Sequence, residues 1–142
     1  AVVGGPLFGR IADRASRSLM AVGAGVASFT LVVMLVVSGL PSFDGDTVWG
    51  AAVFVTTYFL LTLVHTGVRV GRKTYIVDMA RGDQRTNYVA VSNSAMGVIL
   101  LAAGGISSLL ALLGVQFAIA FLAALGFVGV LVSARLPDVS ER

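Results

Sequence analysis

Between Arg85 and Arg135 the chain has no charged residue, a run of 49 residues (86–134). As a single α-helix rising 1.5 Å per residue it would reach about 74 Å. The hydrocarbon core of a bilayer is about 30 Å thick and is crossed by about 20 apolar residues. The run is therefore too long for one crossing and has to fold back, and Gly114 is the residue best suited to the turn. That division predicts helices over 88–113 and 116–134. Residues 18–43 are likewise uncharged and predict a span with its core at 19–40. A further span over 49–68 opens on Trp49, a residue favoured at the membrane interface. The hydrophobic fraction of 57% exceeds the roughly 45–50% of soluble domains. The fold class expected is all-α integral membrane, with four complete transmembrane helices.

The charges give the sidedness. All ten basic residues fall in three short segments: Arg10, Arg14 and Arg17; Arg69, Arg72, Lys73, Arg81 and Arg85; Arg135 and Arg142. Counting crossings puts these segments on one side, which the retention of Lys and Arg makes cytoplasmic. Asp44 and Asp46, in a turn without a base, fall on the other. Residues 9–17 and 69–87 are thus expected as cytoplasmic loops and 135–142 as a cytoplasmic tail, in a multipass protein of the plasma (inner) membrane. Within 69–87, Tyr75, Ile76, Met79 and Ala80 recur at helical spacing. The second helix should therefore run on as an amphipathic extension, stopped at Gly82, with Asp83 capping the next. The pI near 10 does not point to nucleic acid, because membrane topology already accounts for the basic segments.

One His, no Cys and acids confined to the loops leave no nucleophile–base set and no metal-ligand spacing. No enzyme, cofactor or metal is expected. The chain opens AVVGGPLFG, inside an apolar run and without Met. This reads as the end of a fifth membrane helix, loosened by Gly4, Gly5 and Pro6, and residues 1–142 as a fragment of one transmembrane domain.

The segment Gly9-x-x-x-Asp13-Arg14-x-Ser16-Arg17 resembles the loop signature of the major facilitator superfamily, G-x-x-x-D-R-x-G-R-R/K. Ser16 stands where that family usually has Gly, and Ser18 replaces the last base. The stretch GRKTYIVDMA, followed by Asp83-Gln84-Arg85 and YVAVSN, is similar to the last long cytoplasmic loop of bacterial permeases in the superfamily. The resemblance implies a secondary transporter that alternates access by rocking two halves about a mid-membrane site. Its last four helices would be present here, the short tail favouring the C-terminal half. Gly9, Asp13, Arg14 and Arg17 would then form a conformational latch, since a carboxylate at a helix end can satisfy backbone donors and pair with Arg. The same residues also serve as a plain positive-inside anchor.

Candidate pathway residues lie on the middle spans. Tyr58, Thr62, His65 and Arg69 share one face of the second span. His65 either faces a cavity, for solute or proton, or snorkels to the interface. Asn93, Gly97, Gly104 and Ser108 share a face of the third span, suited to a polar cavity or to close helix packing. These two faces are expected to turn to one concave side, with Tyr58 near mid-membrane. Partners implied are a small-molecule solute, a coupling proton or ion, membrane lipid and the remainder of the chain. The alternative is a non-transporting multipass scaffold or assembly subunit, whose helices would be packed evenly by lipid.

Overall fold

The computed structural model describes residues 4–80 and 84–137. Among them all regular structure is helical: α1 (Gly4–Ser38), α2 (Val48–Met79), α3 (Arg85–Leu113) and α4 (Val115–Arg135). All four are long and apolar enough to cross a membrane. The proposed helix stop at Gly82, the cap at Asp83, and Arg81, Asp138, Glu141 and Arg142 lie outside the described residues.

Helix ends follow local chemistry. The turn before α2 is built by Asp44, whose Oδ1 accepts from the Asp46 N–H (3.0 Å) while its carbonyl accepts from the Thr47 hydroxyl (2.7 Å). Thr47 then caps α2, its Oγ1 accepting from the Gly50 N–H at 3.1 Å. Gly50 packs against the Asp44 carbonyl and Gly45, a fit that leaves no room for a Cβ. α2 runs 32 residues, about 48 Å, past the end of the expected span and stops at Ala80. The amphipathic extension is thus continuous helix. Gly114 alone separates α3 from α4, at φ 146° and ψ 140°, a conformation open to glycine and strained for any residue with a Cβ. The fold-back expected at Gly114 is where the chain makes it.

α1 is the central helix, packing on α2 and on α4, whereas α3 touches α4 and, more sparingly, α2. Small residues set these approaches. Gly23 meets Val64 and Val68 of α2, and Gly71 of α2 meets Ser16, Leu19 and Met20. On the α4 side, Gly25 faces Val130, Ala24 faces Gly129 and Ser28 faces Gly126. Numbers rise along α1 as they fall along both neighbours, so each pair is antiparallel. No α3 residue is buried, and the space beside Gly97, Gly104 and Gly105 is empty to 4 Å.

Residues 9–17 differ from the loop expected there. They are helical on both sides of one residue, Ala15, at φ −156° and ψ 55°. Apart from Gly9 the segment has only helix-compatible residues and no proline, so helix persists to Arg14. The bend at Ala15 is sharp. Ser16 lies beside Gly71, yet Phe8 lies beside Gly67. A straight helix would carry Phe8 about 12 Å beyond Ser16, away from Gly67. The first arm of α1 therefore bends back along α2. Ser16 sits fully buried at the bend, its hydroxyl without a hydrogen-bond partner.

Candidate functional site

α2 turns Thr57, Val64, Val68, Gly71 and Tyr75 toward α1. Tyr58 and His65 lie about 100° round the helix from that face. Continuing down their stripe, at intervals of 7, 4, 3 and 4 residues from Tyr58, come His65, Arg69, Arg72 and Ile76. This is the flank that meets α3. Arg72 Nη1 donates to Ser92 Oγ of α3 at 3.4 Å, and Ile76 lines a hollow of about 200 Å³ with Lys73, Val77, Val89 and Asn93. Gly97 and Gly104 follow Asn93 along the same stripe of α3. The Tyr58 stripe and the Asn93 stripe thus begin together, at the α2–α3 hollow.

Further from that hollow nothing among the described residues covers them. Tyr58 is 74% exposed, and His65 and Asn93 are exposed. The Thr62 hydroxyl donates to the Tyr58 carbonyl at 2.8 Å, so it is left as an acceptor. Both faces are exposed surfaces of the four-helix bundle.

The expected latch residues cluster round the bend. Asp13 and Arg14 are exposed and line an open hollow of about 630 Å³ with Arg10, Ile11 and Ala15. No contact fills the space beside Gly9. Among the described residues Asp13 has no ion-pair partner. Arg17 behaves differently, its Nη1 donating to the Leu136 carbonyl at 3.0 Å. That carbonyl follows the last turn of α4, where a cation suits the helix dipole. Tyr75, only 5% exposed, donates from its hydroxyl to the adjacent Pro137 carbonyl at 3.1 Å. The end of α4 is thereby tied to α1 and α2 at consecutive carbonyls.

Sequence reasoning assigned no role to Tyr75 beyond its place on the extension, nor any to the Arg72–Ser92 pair. A tyrosine within a basic segment, at helical spacing from Gly71, was the available signal. A groove of about 580 Å³ between α1 and α2, walled by Val26, Phe29, Val33, Trp49 and Leu60, also went unread. Its apolar walls suit hydrocarbon.

The chain matches no described protein family, no curated protein sequence and no solved structure.

Proposed function

We propose that this chain is part of a secondary transporter of the major facilitator type, moving a small solute by alternating access and driven by a proton or ion gradient. The observation that carries the reading is the shared origin of the Tyr58–Thr62–His65 and Asn93–Gly97–Gly104 stripes at the α2–α3 hollow, on faces that the described residues leave uncovered. Polar side chains on apolar helices are costly against lipid. These faces are therefore turned to a water-filled pathway shared with the rest of the protein. Tyr58 is the solute contact, with Thr62, His65 and Asn93 along the route.

On this reading the arm of α1 before Ala15 is the end of a fifth membrane helix. Gly9, Asp13, Arg14 and Arg17 form the latch, Arg17 through the carbonyl of Leu136. The reading puts the end defined by Ala15, Ala80 and Leu136 in the cytoplasm, supported by the eight described basic residues that lie near it.

Alternating access can be tested without knowing the solute. Residues 1–142 contain no cysteine, so Thr62→Cys, placed in the intact protein with any cysteine outside them replaced, provides a specific probe. An impermeant thiol reagent is expected to label it from outside in right-side-out vesicles and from inside in inverted ones. Asp13→Asn should shift the ratio of the two rates. Protection from both sides would favour the scaffold reading and remove the transporter.

A further inference from the structure

Lys73 is exposed on the α2 extension, and its ammonium has no hydrogen-bond or ion-pair partner among the described residues. It shares the α2–α3 hollow with the Asn93 amide, equally unpartnered, above apolar walls from Ile76, Val77 and Val89. Two further cations bracket the hollow. Arg72 reaches Ser92 (3.4 Å), next to Asn93, and Arg85 Nη2 donates to the carbonyl of Val77 (3.4 Å), one of the wall residues. No acid lines it. Asp78, on the same helix, lies about 140° round from Lys73.

Depth narrows the occupant. Lys73 is four residues, about 6 Å, beyond Arg69, where the uncharged part of α2 ends. The polar layer on each side of a bilayer is about 5–8 Å deep. A cation, an amide and an apolar floor at that level match a phosphate group attached to hydrocarbon, and basic pockets between membrane helices bind acidic head groups.

We propose that the Lys73–Asn93 hollow binds the phosphodiester of an anionic phospholipid, whose acyl chains lie in the surrounding bilayer. This rests on the membrane placement proposed above but not on transport.

The test uses the intact protein, purified in detergent from the membrane fraction and titrated with phosphatidylglycerol, phosphatidylcholine or inorganic phosphate while bound lipid is counted by native mass spectrometry. Phosphatidylglycerol is expected to bind in preference to phosphatidylcholine, and Lys73→Gln to weaken it about fivefold, as for loss of one cation at a membrane surface. Arg135→Gln removes a charge near the same end but away from the hollow, and should leave the affinity within about twofold of the parent. Equal binding of the two lipids overturns the proposal, as does equal weakening by both substitutions. Displacement of phosphatidylglycerol by inorganic phosphate at equal concentration also overturns it, since the site would then be for free phosphate. Absence of the protein from the membrane fraction would instead refute the membrane placement. Loss of two-sided Thr62→Cys labelling with lipid selection intact would refute transport alone.

Discussion

Gly71 shows how single residues set the spacing of this bundle. A Cβ built on it would come within 3.2 Å of both the Ser16 carbonyl oxygen and Met20 Cγ. The carbonyl belongs to the backbone at the Ala15 bend and cannot rotate aside. Gly71→Ala should therefore push α2 from α1 and lower stability by about 1–3 kcal/mol, the usual cost of overpacking. Thermal unfolding of the intact protein in detergent measures this, and an unchanged midpoint would mean that the bend yields. The small residues of α1 were legible at helical spacing, but their partners were not. Ala24 and Ser28 turn to α4 while Gly23 turns to α2, a division that depends on where two distant helices lie. His65 and Asp13 illustrate the opposite limit. Their chemistry is visible in the sequence, yet what they face depends on neighbours far away in the chain or outside it.

At the scale of elements, uncharged runs and turn residues carried most of the information. Gly114 divided the longest run, because the run had to reverse and a glycine there leaves a full span on each side. Gly114→Ala places a Cβ at φ 146°, within 3 Å of the Gln116 side chain, and should cost about 1 kcal/mol or more. The expected result is a lower unfolding midpoint with the helix content unchanged by circular dichroism. An unaffected midpoint would show that the α3–α4 hairpin relaxes to another turn. Residues 9–17 were harder to read, because positive charge marks a membrane boundary without saying whether the backbone there is helix or loop. One bent residue is enough to reverse the chain, and Ala15 carries no glycine or proline signal. α3 was read as a span of the right length, but its lack of buried residues is a property of packing, to which its sequence gives no local clue.

For the whole molecule, the segregation of charge is the strongest feature. Asp44 and Asp46 sit in the α1–α2 turn, while the described Lys and Arg residues are gathered near the opposite end. In intact cells an impermeant thiol reagent is expected to label Asp46→Cys and to spare Gln84→Cys. The reverse pattern would invert the proposed orientation. The hydrogen bonds between elements follow the same polarity: Arg17 to Leu136, Tyr75 to Pro137, Arg72 to Ser92 and Arg85 to Val77 all lie toward the basic end. Further along, Thr57 donates to the Met34 sulfur at 3.7 Å, and a thioether is a weak acceptor. Elsewhere the helices meet through Gly, Ala and Val, which resist approach but fix no direction. The bundle is thus a lever, stiff at its fulcrum and compliant along its arms. A tilt of about 10° about the basic end moves the far end by about 5 Å across a 30 Å core, while the hydrogen bonds gathered at the fulcrum stay in place.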